Sequence, residues 1–471
     1  MTTSKAPDTA VSTLEASAVE GLAAGLRGDL VRPEDGAYDE HRRVWNGSID
    51  RRPALIARCT GVADVIAAVR FAKTHGLLVA VRGGGHSFPG YSTCDDGMVI
   101  DLSPMKGIRV DPEAGTARAQ AGVLLGELDR ETEAFGRVVP AGFVSHTGVA
   151  GLTLGGGIGF TMRKYGLTID NLLSVDLITA EGEFVKASAD ENADLFWGVR
   201  GGGGNFGIVT DFEFRMSPLM PQVLAGPIFW KLDDAPAVLR FYREWIAGCP
   251  DELMTIVLQR RAPALAAMPA EIVGERVIAV VSVYSGPIED GEKVLRPLKE
   301  FGSPVLDLCG PMPFVSHQQM YNGSFPHGWF YYFRSCDVPE LNDDIIEVMV
   351  EHASQIESPI TSVALWQMGG AVARVGEDET AFNGRSAGHT FNINGNSMTP
   401  DRFDEERAWA RGFWDALQPY QSGVYVNFLM EEGEERVRQA YGAAKFDRLK
   451  ALKRTYDPTN LFRLNQNIAP D

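Results

Sequence analysis

The sequence contains few cysteines, and they are scattered along the chain. There are five among 471 residues, with no CxxC pair and no spacing typical of metal ligands: Cys59, Cys94, Cys249, Cys309 and Cys336. An odd, dispersed set of this kind argues against a disulfide framework and against a bound metal. It predicts reduced thiols, as in a cytoplasmic protein.

Long hydrophobic runs and an excess of positive charge are also missing. No apolar stretch approaches the roughly 20 residues that cross a bilayer, and the N-terminal MTTSKAPDTAVST lacks the apolar segment of a signal peptide. The 44 Lys and Arg residues are outnumbered by 62 Asp and Glu residues, giving a net charge of −18. Phosphate backbones and anionic membranes are poor partners for such a chain. We expect a cytoplasmic protein without nucleic-acid or membrane partners, in an oligomeric state that the sequence leaves open.

Glycine, by contrast, is abundant, and the 51 glycines cluster in three runs that begin at Gly83, Gly148 and Gly201. None of these runs has the strand, glycine turn and helix of a nicotinamide-binding Rossmann motif. FPGYS follows the first run and prevents a helix, the third leads directly into a strand pattern, and no GK[ST] of a P-loop occurs. Consecutive glycines still let several N–H groups converge on one anion, which suits a cofactor with a pyrophosphate.

Periodicity predicts an α+β protein in three parts. Residues 1–218, with a core from about residue 50, mix helical and strand patterns, and two prolines mark a boundary at Ser217–Gln222. In residues 219–419 strands such as Val277–Tyr284 alternate with helices, which predicts a largely antiparallel sheet with helices on one face. Residues 420–471 form a C-terminal segment with a long helical pattern over Glu434–Tyr456.

Four motifs and the C-terminal segment, in order along the chain, carry a resemblance to a known family. RGGGHS, PAGFVSHTGVAGLTLGGGIGF, RKYGLTIDN and DLFWGVRGGGGNFGIVTDFEF are similar to the FAD-binding domain of the berberine bridge enzyme-like FAD-linked oxidases, a PCMH-type branch of the vanillyl-alcohol oxidase superfamily. YVNF and KRTYDPTNLFRLNQNI resemble the closing segment of that family. The resemblance covers residues 50–216 and 423–468 densely. It implies an FAD-binding domain to which the C-terminal segment returns, and a substrate-binding domain between them.

The resemblance also implies how the cofactor is attached. In the family, the histidine of this first motif is bonded to the 8α-methyl carbon of the flavin, which corresponds to His86 here. A neutral imidazole nitrogen is a competent nucleophile toward that carbon. Many relatives have a second link through the cysteine of AGxCPTxG, but the aligned AGFVSHTG has Val144 at that position. Valine cannot form a thioether, so we expect FAD with a single histidyl link and no cysteinyl link.

The other predicted FAD contacts lie in the glycine runs, beside them, and in the closing segment. The first run suits the pyrophosphate, and Thr147 falls where relatives place a residue that gates oxygen access. The predicted set is His86, Arg82, Gly83, Gly84, Gly85, Ser87, Gly90, Gly142, Ser145, His146, Thr147, Gly148, Gly151, Gly156, Gly159, Ile208, Val209, Asn427, Asn465 and Asn467.

Catalytic residues are less well defined than the cofactor site. In relatives with YxNY, the second tyrosine is often proposed as the base that takes a hydroxyl proton from the substrate. Phe428 stands at that position and has no proton to exchange. We therefore consider Tyr425 from the same motif, and Tyr332 and His389 from predicted strands of the middle part. For each tyrosine, packing in the core is the alternative.

The resemblance implies an oxidase that takes a hydride from an alcohol, sugar or amine carbon of a small molecule and reduces molecular oxygen to hydrogen peroxide. A dehydrogenase or an oxidative cyclase of secondary metabolism, using an acceptor other than oxygen, is one alternative. A flavin-binding protein without turnover is another, and Phe428 is the feature that favours it.

Overall fold

The computed structural model describes residues 14–471, so the first 13 residues of the predicted N-terminal domain lie outside the described part. Up to residue 218 the helices are α1 (Ala16–Gly25), α2 (Tyr38–Arg42), α3 (Val62–Thr74), α4 (Leu125–Glu133), α5 (Val149–Leu154), α6 (Met162–Tyr165) and α7 (Ala193–Val199). The strands are β1 (Asp29–Val31), β2 (Leu55–Arg58), β3 (Val79–Arg82), β4 (Met98–Asp101), β5 (Ile108–Asp111), β6 (Thr116–Gln120), β7 (Arg137–Val138), β8 (Leu172–Ile178), β9 (Phe184–Ser188), β10 (Ile208–Arg215) and β11 (Ser217–Pro218).

These strands form two main sheets. The first has the order β1-β2-β4-β3, with β4 parallel to both β2 and β3. The second has the order β5-β6-β10-β8-β9 and is antiparallel throughout. The predicted alternation in Ile208–Met216 is visible in β10, where Phe212 and Phe214 are buried. Because β3 and β10 border the first and third glycine runs, the two sheets position those runs.

The remaining elements build a larger sheet and its helices. The strands are β12 (Val223–Lys231), β13 (Leu253–Arg261), β14 (Arg276–Tyr284), β15 (Leu306–Asp307), β16 (Gly310–Met312), β17 (Phe333–Val338), β18 (Ser362–Gln367) and β19 (His389–Asn394). The helices are α8 (Ala235–Ile246), α9 (Ile288–Lys299), α10 (Phe314–Gln318), α11 (Asp343–Ala353), α12 (Ala371–Arg374) and α13 (Phe403–Leu417), followed in the C-terminal segment by α14 (Glu434–Tyr441) and α15 (Ala443–Tyr456).

The large sheet is antiparallel, with the order β15-β12-β14-β13-β18-β19-β17, and β16 pairs with β12. Both of its faces are covered. One packs against α8, α9, α11 and α13 in a hydrophobic cluster that includes Val257 and Phe391, and the other packs against the first unit through residues such as Ile256 and Trp366. Because both faces of the sheet are buried, the sequence of β14, RVIAVVSVY, is a nearly continuous apolar run. The predicted α+β class and helix-covered antiparallel sheet are confirmed.

The C-terminal segment packs back onto the first unit. Val424, Val426, Leu449 and Phe462 belong to the hydrophobic cluster formed by the two smaller sheets and α3. The buried Lys453 ammonium donates to the carbonyls of residues 205 and 462 and to Asp457, and so ties the closing segment to the third glycine run. The boundaries at residues 218 and 420 stay predictions. No helix of residues 14–471 is long and apolar enough to cross a membrane.

A buried carboxyl in the large sheet makes stability depend on pH. Burial raises the pKa of Asp337 to about 7, although Thr390 donates a hydrogen bond to it. An unfolded aspartate titrates near 3.9, so the folded chain holds this proton over the interval between the two values. The stability that Asp337 contributes is complete below the lower value and is lost as pH rises toward 7.

We expect Asp337→Asn, which cannot titrate, to raise the melting temperature relative to wild type at pH 8 by about 2 °C or more, and to raise it by less at pH 5, where only part of the Asp337 contribution has been lost. Thermal unfolding at the two pH values measures this difference. The exposed Asp415→Asn is the control. An equal shift at both pH values would contradict the proposed proton linkage.

Candidate active site

A cavity of about 370 Å³ lies between the glycine runs of the first unit and the face of the large sheet that packs against it. Four pieces of chain form its walls: the turn after β3, the start of α5 with the loop before it, the third glycine run leading into β10, and the closing segment. Strands β13, β18 and β19 complete it from the other domain. The cavity therefore joins the segments that the sequence assigns to a cofactor with the domain assigned to the substrate.

The glycine runs line the cavity with backbone. Gly84 and Gly148 come so close that a Cβ on Gly84 would lie 2.4 Å from the backbone nitrogen of Gly148. Gly151 and Gly204 face the cavity, and a Cβ on either would meet no protein atom within 4 Å. The glycines leave open space next to backbone N–H and C=O groups that no side chain covers. Such a backbone-lined cradle fits a dinucleotide cofactor.

Buried polar atoms on the same walls point to a polar ligand. The Tyr441 hydroxyl and the Asn465 side-chain oxygen line the cavity and have no hydrogen-bond partner within residues 14–471. A buried polar group without a partner is costly, so such atoms mark places where a ligand completes the hydrogen bonding. These residues fit FAD, which offers ring, ribityl, phosphate and adenine polar groups.

His86 is held rigidly in the cavity wall. Its ring stacks on Trp45 with centroids 4.0 Å apart, and its Nε2 lies 3.2 Å from Nδ1 of His146. Burial, reinforced by the proximity of His146 and His327, lowers the pKa of His86 well below its usual value. Burial likewise lowers the pKa of His146 to about 4. Both imidazoles are neutral at neutral pH, and Nδ1 is the His86 nitrogen that His146 does not engage.

The closing segment is clamped onto the second glycine run. The Tyr425 hydroxyl accepts hydrogen bonds of 2.9 Å from the Gly157 backbone and from the Asn427 amide, which also donates to the Leu152 carbonyl. Burial raises the pKa of Tyr425, against the opposing effect of these hydrogen bonds. At neutral pH the phenol keeps its proton, so Tyr425 can orient a ligand but is a poor base.

The two departures from the family pattern both line this cavity. Val144 faces it from the loop before α5, and Phe428 packs edge-on against Tyr425 with ring centroids 4.8 Å apart. In the described residues, the ionisable side chains of the cavity wall are His86, Arg260 and four tyrosines. No carboxylate or lysine of residues 14–471 lines it, so the wall offers little general-base capacity.

The structure brings most of the predicted site residues together. The cavity is lined by Gly83, Gly84, Gly85, His86, Ser87, Gly142, Thr147, Gly148, Gly151, Ile208, Val209, Tyr425, Asn427 and Asn465. His146 stands behind His86 as its hydrogen-bond partner. The remaining predicted cofactor contacts do not reach the cavity wall: Arg82, Gly90, Ser145, Gly156, Gly159 and Asn467.

Most of those six have a structural role instead. Arg82 turns away from the cavity and donates to the carbonyls of residues 41 and 42. The Ser145 backbone N–H donates to Asn322. The three glycines pack against protein atoms, and a Cβ on Gly159 would overlap the Ala141 carbonyl oxygen at 1.7 Å. For Asn467 the structure gives no contact that explains its role.

The large sheet places two of the three catalytic candidates on its helix side, away from the cavity. His389 shares its face with Phe391 and Ile393, which pack under the helices, whereas Asn392 and Asn394 point into the cavity. Alternation along a strand places residues three apart on opposite faces. Tyr332 also lies in the helix-side cluster, where its hydroxyl accepts a hydrogen bond from Arg411. Tyr425 is the one of the three that lines the cavity.

Sequence reasoning missed several residues of the wall. Trp45 and Arg260 lie far along the chain from the glycine motifs, and no local pattern marks them. Trp366 carries a detectable signal, because it belongs to a strand pattern whose parity fixes its face once one cavity residue is known. Asn205 follows the third glycine run directly.

The chain is similar to known proteins over nearly its whole length. Residues 53–188 match the family model for an FAD binding domain, and residues 424–469 match the one described as berberine and berberine like. An FAD-linked oxidoreductase of Dictyostelium discoideum is 33% identical over 452 residues, which cover 94% of this chain and 95% of the relative. The (R)-6-hydroxynicotine oxidase of Paenarthrobacter nicotinovorans is 30% identical over 477 residues, covering 95% and 97%.

A solved structure shares the architecture. The crystal structure of 6-hydroxy-D-nicotine oxidase from Arthrobacter nicotinovorans matches with a TM-score of 0.85 at 30% identity, covering 95% of this chain and 98% of that one. The match spans both domains. The two-domain fold is therefore shared with an oxidase.

Filling the cradle is expected to weaken FAD binding without harming the fold. In Gly151→Ala the added methyl group meets only the space reserved for the cofactor. Overpacking of that kind lowers affinity by roughly tenfold. The flavin-to-protein absorbance ratio of purified protein and the apoprotein melting temperature are the two measurements. Gly412→Ala, on an exposed part of α13, is the matched control, and equal flavin content in both variants would refute the cradle.

Proposed function

The chain belongs to the berberine bridge enzyme-like FAD-linked oxidoreductases of the PCMH-type FAD-binding family, and from this premise we propose that it is an oxidase with a covalently bound FAD. FAD supplies the two-electron acceptor for a hydride from the substrate carbon. Molecular oxygen is the proposed final acceptor, with hydrogen peroxide as the product.

The observation that carries the proposal is the single cavity into which both His86 and the open face of the substrate-domain sheet project. A substrate held on that face lies against whatever cofactor His86 anchors. The neutral state of His86 supports covalent attachment, since an unprotonated ring nitrogen is the nucleophile. His146 engages Nε2, so we propose Nδ1 as the linking atom.

The wall residues favour substrates that need little help from a base. Tyr425 stays protonated, Phe428 has no exchangeable proton, and the described cavity wall has no carboxylate. A neutral amine can lose a hydride from its α-carbon without a dedicated base, whereas an alcohol must also lose its hydroxyl proton. Among the proposed alcohol, sugar and amine substrates, amines therefore agree best with this wall.

Oxidase activity is tested by reducing the enzyme anaerobically with dithionite and mixing it with air-saturated buffer. An oxidase returns to the oxidised spectrum within seconds and produces one equivalent of peroxide for each flavin. Reoxidation over many minutes, together with rapid transfer to an artificial quinone acceptor, would make the enzyme a dehydrogenase.

Single histidyl attachment is tested by denaturation. We expect acid-precipitated wild-type protein to stay yellow, with an intact mass greater by one FAD and one flavin-bearing peptide, the one that contains His86. His86→Ala should release its flavin on precipitation, while His327→Ala, which alters an exposed neighbour of His146, should retain it. A second flavin-bearing peptide would overturn the single link.

A further inference from the structure

The substrate-domain wall of the cavity contains a cation without a counter-ion. Arg260, near the end of β13, lines the cavity and takes part in no ion pair with an acidic side chain of residues 14–471. The ionisable side chain beside it is Tyr321, whose pKa is raised by burial, so the phenol is uncharged. Arginine keeps its charge in proteins. Arg260 is half-buried, and a cation removed in part from water without an acidic partner favours an anion that arrives from outside.

The guanidinium is anchored on one side and open on the other. Its Nε donates to the Arg261 carbonyl and its Nη2 donates to the Pro359 carbonyl, both at 3.2 Å. Both acceptors are neutral, and neither uses Nη1. The Tyr321 hydroxyl also lines the cavity and has no partner in the described part of the chain. Two hydrogen-bond donors thus remain available to a ligand at this end of the cavity.

The register of the large sheet places two more polar side chains beside Arg260, on the neighbouring strands. Arg260 pairs with Ser362, and Ser362 pairs with Asn394, so the three lie in one row across β13, β18 and β19. Neighbouring strands are about 5 Å apart. Asn394 donates to the Ser362 hydroxyl at 3.1 Å and is 3% exposed, and its side-chain oxygen has no partner within residues 14–471. Ser362 and Asn394 thus form a buried polar strip, and the half-buried Arg260 carries the charge at its end.

Apolar side chains surround this row. In the next row of the sheet Leu258 pairs with Ala364, and both line the cavity together with Trp366 and Phe333. A ligand that fits such a wall has one anionic end and an apolar body. One guanidinium carries one positive charge, which matches a carboxylate; a dianionic phosphate would leave a buried charge unpaired.

We propose that Arg260, assisted by the Tyr321 hydroxyl, binds a carboxylate of the substrate, and that the enzyme oxidises a carboxylate-bearing amine or alcohol with an apolar body. This inference rests on the proposed function, because it names the class of molecule that is oxidised. The carboxylate is the recognition group and is distinct from the carbon that loses the hydride.

Benzoate and benzamide are the probes, because they share a ring and differ in charge. Binding to the oxidised holoenzyme is followed by perturbation of the flavin absorption spectrum and by the shift in melting temperature. We expect wild type to bind benzoate at least about tenfold more tightly than benzamide, and Arg260→Met to lose that preference, since removing one partner of a buried charge pair costs at least this much. Arg260→Lys should restore part of it.

Arg261→Met is the matched control, because Arg261 is the next residue on the same strand, points to the opposite face and pairs with Glu357. It should leave both affinities unchanged. Equal binding of the two probes in wild type, or the same benzoate affinity in wild type and Arg260→Met, overturns the carboxylate site.

The oxidase hypothesis and the carboxylate-site hypothesis can be disproved independently of each other. If benzoate binds tightly in a way that depends on Arg260 but air reoxidises the flavin slowly, the oxidase hypothesis is disproved and the carboxylate site is retained. If air reoxidises the flavin rapidly but the enzyme shows no preference for benzoate, the carboxylate site is disproved and the oxidase hypothesis is retained.

Discussion

Side chains alternate between the two faces of the large antiparallel sheet, and both faces are buried against different partners. A shift of one residue in any strand would move cavity residues under the helices and helix-packing residues into the cavity. Register is therefore strongly specified by the two hydrophobic clusters. It places Asn392 and Asn394 beside the cofactor cradle and His389 in the core behind it.

The other wall depends on contacts between segments that are distant along the chain. The Tyr425 hydroxyl accepts a hydrogen bond from the Gly157 N–H, and the Asn427 amide donates one to the Leu152 carbonyl, 275 residues upstream. These bonds satisfy backbone groups that a glycine-rich loop would otherwise leave unpaired. Because its hydroxyl is used in these hydrogen bonds, Tyr425 serves to pack the two segments together and to orient a ligand. Polar residues of the closing segment complete the cavity, so the C-terminal segment serves both the fold and the site.

Among residues 14–471, the two walls produce a site with little acid–base capacity and one cation, Arg260, that forms no ion pair. Desolvation lowers the pKa values of His86 and His146 and so keeps both rings neutral, and burial raises the pKa of Tyr425 and keeps its phenol protonated. Chemistry in this cavity depends on the cofactor, on the exclusion of water and on substrate orientation. Arg260 is the charged side chain of the wall that can supply orientation from the substrate side.

The sequence by itself determined the cofactor half of this protein, because glycine runs and the histidine among them are local features whose backbone requirements can be read in a few residues. The glycine pattern singled out Gly148, whereas His86 was singled out by the resemblance to the family motif, and both line the cavity. It also determined the α+β class and the helix-covered sheet. Only the tertiary structure decided which middle-domain residues face the flavin side, since that depends on strand register across distant segments. Arg260 was missed, and the face of the sheet on which His389 lies was not foreseen, because neither burial against a second domain nor the parity of a strand relative to its neighbours is encoded locally.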